Sequence, residues 1–268
     1  MMKLIFREIE EGRSTPHGGV YVDLRKSPKA PDEIMRILKE LDSLPYNQLS
    51  DFGIDVLNKP IEVMPVTHYT LGGVRINEWG ETLTPGLFAA GEVAGNIHGA
   101  NRTSGNALAE TQVFGRRAGM RAADFCRDAS APALNEAEVT DEMRRIEDFL
   151  KEGDPRCRPI EIKREIKTIM HQYVHHRRNA EGLTLAIQKL KDIEETILPQ
   201  MSVAASHRVY NYEWEEALEV GNMLKLAEMV AASALAREES RGHHWRTDFP
   251  NMRPEWEKHT IVHKTGPH

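Results

Sequence analysis

The sequence predicts an α/β layer followed by an all-α bundle, on three observations. Residues 65 to 119 hold 10 of the 19 glycines and read as strand, glycine loop, helix. Beyond residue 158 three segments repeat apolar residues at helical spacing. Before both, "HGGVYVDLR" alternates apolar and polar residues as a half-buried strand does. A chain of 268 residues, 40% hydrophobic and 28% charged, has enough apolar side chains for one large domain or two ordinary ones.

In chain order, "MMKLIFREIEEG" predicts a helix that ends at Gly12 and has no Ser, Thr, Asp or Asn ahead of it as a cap, so that it reads as the back half of a helix. The strand of "HGGVYVDLR" follows. "APDEIMRILKELDSL" is a proline-started, acid-first amphipathic helix with Ile34, Ile37, Leu38 and Leu41 on one stripe. "GLFAAGE" predicts a short buried strand. "GNALAETQVFGRRAGMRAADFC" predicts a helix with Leu108, Val113 and Phe114 facing inward and Gly115 and Gly119 permitting close packing. "DASAPALNEAEV" is a linker. "IEIKREIKTIMHQYVHHR", with Ile162, Ile166, Ile169 and Tyr173 in step, "LTLAIQKLKDIEETIL", which stops at Pro199, and a helix from about Tyr212 to Gly242 form a three-helix bundle. The aromatic, proline-punctuated tail from His243 reads as a segment laid over a domain.

The formal net charge of −6, from 41 acidic and 35 basic residues with no Lys/Arg run, argues against a nucleic-acid partner. Cys126 and Cys157 form neither a CxxC nor a metal-ligand spacing and suit a reducing compartment. The chain has no secretory h-region and no apolar run approaching the roughly 20 residues of a membrane helix, so a direct membrane span is not expected. His171, His175 and His176 are closely spaced but lack an HExxH glutamate, and no metal site is expected. GxSxG, Walker and GxGxxG patterns do not occur.

Four places carry chemistry. His68 precedes a Gly-Gly pair in "THYTLGGV" and could orient a substrate carboxylate or carbonyl; the alternative is a partly buried histidine satisfied by backbone. Arg102 stands among small residues with no acid from Val93 to Ala109, which suits it to clamp a carboxylate or phosphate unless a distant acid pairs with it in the fold. Glu92 closes "LFAAGE", where open α/β sheets bind ligands and a carboxylate can accept hydrogen bonds from ligand hydroxyls; the alternative is an ordinary strand end. "SGNAL" opens a helix with almost no side-chain bulk, so its first N–H groups could face an anion or simply begin an ordinary capped helix.

In order along the chain, "PVTHYTLGGV", "TPGLFAAGEVAGNIHGANRTSGNALAE", "VFGRRAG", "YNYEWEEALEVGNML" and "REESRGHHWRTDFP" resemble the signatures of the flavoprotein subunits of succinate dehydrogenase and fumarate reductase, with L-aspartate oxidase as a relative. The resemblance covers nearly the whole chain. It implies FAD as cofactor and hydride transfer between the flavin and the central carbons of a C4 dicarboxylate, succinate or fumarate. His68 and Arg102 would hold a substrate carboxylate and serve as the catalytic residues. Glu92 would bind the ribityl or ribose part of FAD, while Asn106, Ala107 and Leu108 would lie against the isoalloxazine ring.

The same resemblance implies the end of a capping domain at residues 1–60, the C-terminal part of an FAD-binding domain at 61–128, a helical domain at 129–242 and a C-terminal extension at 243–268. The family's GxGxxG segment and its proton-donating Arg, which lies shortly before the segment matched by "REIEEGR", have no counterpart here. The expectation is therefore the C-terminal portion of a longer flavoprotein, inactive alone and partnered by an N-terminal flavoprotein half and an iron–sulfur protein. It would be cytoplasmic and peripheral at the inner face of the membrane through those partners. The rival expectations are an L-aspartate oxidase-like portion and a non-catalytic fragment that pairs with a sister chain.

Overall fold

The computed structural model describes residues 2–41, 43–150 and 157–264, with side chains described from residue 4 onward except at 41–45. The chain divides into two compact units, Met1–Tyr69 and Thr70–His268.

In the first unit helix α1 (Met2–Glu10) ends where the chain reaches Gly12, whose φ of 77° is open to glycine and costly to other residues. Strands β1 (Val20–Val22) and β2 (Ile61–Val63) pair antiparallel, with Val20 opposite Val63 and Val22 opposite Ile61. The predicted alternation therefore gives a strand of three residues. Helices α2 (Pro31–Leu41) and α3 (Ser43–Asp51) lie between them in sequence. Among the described residues Ile5, Val20, Ile34 and Val56 are the buried apolar ones; Ile37 and Leu38 are half-buried, and the side chain of Leu41 lies outside the described residues.

The second unit begins with a glycine-rich segment, residues 70–105, that leads into α4 (Asn106–Asp128). "GLFAAGE" is neither a strand nor buried. Among the described residues its ladder is limited to one antiparallel bridge, Glu81 with Phe88, flanked by the bond from Ala89 N–H to the Gly80 carbonyl, 2.9 Å. The reason is conformational: Gly80, Gly86 and Gly91 all have φ between 75° and 82°, which turns the chain too often for a ladder to propagate.

The inward face predicted for α4 is also corrected. Leu108 is 77% exposed and Val113 46%, while Phe114 is half-buried; the buried members of this helix are Glu110 and Ala118. Gly115 and Gly119 face open space, so they serve no close helix packing within the described chain. Helix α5 (Glu136–Asp148) begins inside the predicted linker because Asn135 caps it, its side chain accepting from Ala137 N–H at 3.2 Å.

The bundle stands as expected. Helix α6 (Pro159–Ile169) starts on Pro159, continues as a π-helical turn over Met170–Val174 that contains Tyr173, and buries Ile162, Ile166 and Ile169. Helix α7 (Ala180–Asp192) is capped by Asn179 and buries Leu183, Ala186 and Leu190. Helix α8 (Tyr212–Ala236), capped by Asn211, buries Ala217, Val220, Leu224, Ala227, Ala231 and Ala234. Those spacings of three and four place one narrow, largely alanine seam against α6 and α7, and small side chains bring the helices close.

Helix α8 does not run to Gly242; it stops at Ala236. Arg246, 1% exposed, donates to the carbonyls of Ala234 and Leu235 at 2.9 Å and of Arg237 at 3.2 Å, so a cation occupies the negative end of the helix. Asp248 balances that charge through two hydrogen bonds of 2.8 and 2.7 Å. The tail is laid over the bundle as predicted: β4 (Trp245–Arg246) pairs parallel with β3 (Arg177–Arg178), and Asp248 accepts from Ala180 N–H at the start of α7, 2.9 Å.

Candidate site on the glycine-rich face

The site region is held together by backbone passing directly against backbone. Val74 N–H donates to the Val93 carbonyl at 2.8 Å, and Gly95 N–H donates to the Val74 carbonyl at 2.9 Å. At Gly73, with φ of 151°, a Cβ would lie 2.2 Å from the Val93 carbonyl oxygen, and at Gly95 one would lie 2.9 Å from Gly73. Both glycines are therefore required for this crossing, whatever ligand the region holds.

The crossing fixes the turn that carries Glu92. One of its carboxylate oxygens accepts from Thr70 N–H at 2.8 Å, and the side chain is exposed. The preceding residue, Gly91, donates its N–H to Glu110 Oε1 at 3.0 Å. Glu110 is only 5% exposed and stands on the second turn of α4, so it joins the Glu92 turn to that helix. Sequence reasoning missed Glu110. Its signal was an acid on a helix face otherwise made of small residues, a pattern equally typical of a solvated position.

Asn106, Ala107 and Leu108 form the first turn of α4. Its cap is Gly105, with φ of 85° and no side-chain hydrogen bond to the helix, and a Cβ at Gly105 would meet nothing within 4 Å. The turn thus places backbone N–H groups at the positive end of a 23-residue helix, with Asn106 N–H donating to the Thr103 carbonyl at 3.2 Å. Arg102, half-buried, stands in the loop immediately before it. The second unit therefore assembles Glu92, Arg102 and Asn106–Leu108 on one framework, whereas His68 is an exposed residue of the irregular chain after β2, in the first unit.

A third segment supports this loop. Arg241 N–H donates to the His244 carbonyl at 2.8 Å and His244 N–H to the Arg241 carbonyl at 3.0 Å, which makes Gly242–His243 a two-residue turn. Gly242 has φ of 58°, and a Cβ there would lie 2.1 Å from the carbonyl oxygen of Ala100; His243 N–H donates to that oxygen at 3.1 Å. The sequence pattern that ended a helix at about Gly242 did not reveal this role, because the contact spans more than 140 residues.

Behind the turn, Glu239 is fully buried. Burial acts to raise its carboxyl, but hydrogen bonds from Arg241, from Arg253 N–H and from Arg237 hold it at about 2. His244 donates through Nε2 to the Arg237 carbonyl at 3.0 Å and receives Arg178 at Nδ1, 3.2 Å, the arrangement of a neutral ring. Burial pushes its pKa down to about 4, opposed by the bond to Arg237 and reinforced by the charges of Arg178 and Arg246. Among the described residues no His, Cys, Asp and Glu group is arranged to hold a metal ion, and no helix is long and apolar enough to cross a membrane.

Comparison with known proteins agrees with this geometry. Residues 1–108 match the family described as "FAD binding domain", and residues 163–268 match "Fumarate reductase flavoprotein C-term". The chain is 42% identical over 262 residues to one of the subunits of the CoM/CoB fumarate reductase of Methanothermobacter marburgensis, covering 98% of this chain and 46% of that protein. It is 35% identical to the chloroplastic L-aspartate oxidase of Arabidopsis thaliana, over 80% of this chain and 33% of that one. Among solved structures, the Mycobacterium smegmatis Sdh1 complex in its apo form superposes with a TM-score of 0.81 at 35% identity, over 95% of this chain and 42% of that one. The chain thus spans about half the length of the curated relatives it matches, or less.

The residues present fit a flavin. Gly99 and Gly105, both at positive φ with open space where a side chain would stand, and the glycine-capped first turn of α4 offer backbone donors with little bulk, which is compatible with a planar, polar-edged ring system. With two matched regions at its two ends, relatives at 35 to 42% identity and a shared fold, this chain belongs to the fumarate reductase and succinate dehydrogenase flavoprotein family, whose cofactor is FAD.

Proposed function

We propose that this chain forms the substrate-side and helical part of an FAD-dependent oxidoreductase that interconverts succinate and fumarate. The observation that carries the reading is the placement of Arg102 directly before the glycine-capped N-terminus of α4, a guanidinium beside a set of backbone donors. Bound FAD supplies the hydride donor or acceptor. Arg102 and His68 hold the substrate carboxylates, and orientation of the C–C axis is their main contribution, with charge stabilisation added. Glu92 takes a ribityl or ribose hydroxyl with the carboxylate lone pairs that Thr70 leaves available. Asn106, Ala107 and Leu108 offer their backbone to the isoalloxazine.

We assign residues 1–60 to the end of a capping domain, 61–128 to the FAD domain, 129–242 to the helical domain and 243–268 to its extension. The remaining part of the relatives' length, in the same polypeptide or in a separate one, supplies the pyrophosphate-binding segment and the proton donor. An iron–sulfur protein carries electrons and gives a peripheral position at the membrane. The second reading, L-aspartate oxidase chemistry, draws on the 35% identity to that enzyme.

The test is the visible spectrum of the purified chain with FAD, alone and with a polypeptide that supplies the N-terminal flavoprotein half, followed by reoxidation of the reduced mixture with fumarate. Flavin retention and fumarate turnover in the pair support the proposal. Aspartate-dependent peroxide without fumarate turnover moves the assignment to the second reading, and absence of bound flavin in both mixtures leaves a non-catalytic fragment.

A further inference from the structure

The loop that carries Arg102 lies between Gly99 and the start of α4 at Asn106. Gly99 and Gly105 bracket it at positive φ, each with room where a side chain would stand, and the described backbone–backbone bond within it is a single turn, Asn106 N–H to the Thr103 carbonyl at 3.2 Å. Its described backbone anchor from elsewhere in the chain is the Gly242–His243 turn on Ala100.

That turn is itself over-determined. Ser240 accepts from Arg246 N–H at 2.8 Å and donates to the Phe249 carbonyl at 2.8 Å or the Arg246 carbonyl at 3.0 Å. Glu239 ties Arg237, Arg241 and the backbone of Arg253 together, and Arg246 caps α8. A rigid chain of contacts therefore runs from the end of α8 through Gly242 to Ala100, two residues before Arg102. Flexible loops place a charged clamp well only when something stiff holds them.

We propose that the Gly242–His243 turn is a positioning element for Arg102, through which the helical domain sets the dicarboxylate clamp. This rests on the role given to Arg102 above. The absence of a side chain at Gly242 permits the close approach, and the His243 N–H supplies its hydrogen bond.

The test compares Gly242→Ala and Gly242→Asn in the flavin-loaded assembly. Asparagine tolerates positive φ better than alanine, but either Cβ meets the Ala100 carbonyl. Both variants are expected to speed hydrogen exchange in residues 98–106 and to raise the KM for fumarate about tenfold or more, with a much smaller change in kcat. Exchange in residues 183–193 of the bundle stays as in the native chain. In an Arg102→Gln background, Gly242→Ala adds no further loss of fumarate affinity, a coupling that a merely structural role would not produce.

Unchanged exchange at 98–106, a native-like Gly242→Asn, or full additivity with Arg102→Gln overturns the proposal. If Gly242→Ala disrupts the bundle, His243→Pro is the second variant: it deletes the donated N–H and leaves Gly242 in place, and the same two readouts decide. The exchange measurement reads the turn whether or not fumarate is the substrate, so failure of the dicarboxylate reading and failure of the positioning role are separable.

Discussion

The bundle and the glycine-rich face belong to one unit of the chain and solve opposite problems. In α6, α7 and α8 the apolar residues find each other: Leu183, Ala186, Leu190, Val220 and Leu224 are completely buried. In α4 the apolar residues Leu108, Val113, Met120 and Phe125 are exposed, and the residues turned inward are an alanine and a hydrogen-bonded glutamate. These exposed apolar residues are spread around α4 rather than gathered on one core-facing stripe, the reverse of the seam in α8. The tightly packed core thus lies in the bundle and the proposed chemistry on the glycine-rich face, with the Gly242 turn touching Ala100 between them.

The largest effect that would sharpen the contrast is a core truncation. Leu190→Ala is expected to cost about 3 kcal/mol in chemical denaturation, because the cavity it leaves lies where three helices meet. A cost below about 1 kcal/mol would mean that the bundle is loosely packed and the contrast overstated.

The next effect is pH-dependent. His244 is held neutral with its pKa lowered to about 4 from the usual 6.5, so the unfolded chain binds more protons than the folded one between those values. Stability is accordingly full above pH 6.5 and falls as pH drops through 4. Glu239 and Asp248, both lowered to about 2, extend the loss below pH 4. Thermal midpoints recorded from pH 7 to 4 should decline in the native chain and flatten in His244→Asn; equal slopes would remove His244 as the cause.

The smallest effect tests the open face. Val113→Asp should change the stability of the chain alone by no more than about 0.5 kcal/mol, since the side chain is already in solvent. The same variant should weaken association with the N-terminal flavoprotein half, measured by flavin retention in the mixture. A large stability loss without a partner would show that α4 already buries this residue.

Much of this division was legible in the residues. The three- and four-residue spacing in α6 to α8, the asparagine caps at Asn179 and Asn211 and the proline at Pro159 specify the bundle locally, because each acts within a few residues of itself. The motifs around His68, Glu92, Arg102 and Asn106 also stand in the sequence, since glycines and a lone arginine are conspicuous without any fold. What those residues bind remained a matter of resemblance, and their spacing fixed no partner atoms.

Only the tertiary structure decided the rest. "GLFAAGE" has strand-forming residues but three glycines at positive φ in and around it and, among the described residues, a single bridge to Glu81 in place of a ladder, and pairing is a property of two segments. Helix α8 stops six residues before Gly242 because Arg246, ten residues beyond its end, takes its last carbonyls. Gly73 and Gly242 are glycine because Val93 and Ala100 pass within contact of their missing side chains. Sequence alone determined the periodic elements and the reactive residue types, whose causes are local; close approach between distant backbones, which holds the candidate site in place, is fixed only when the chain folds.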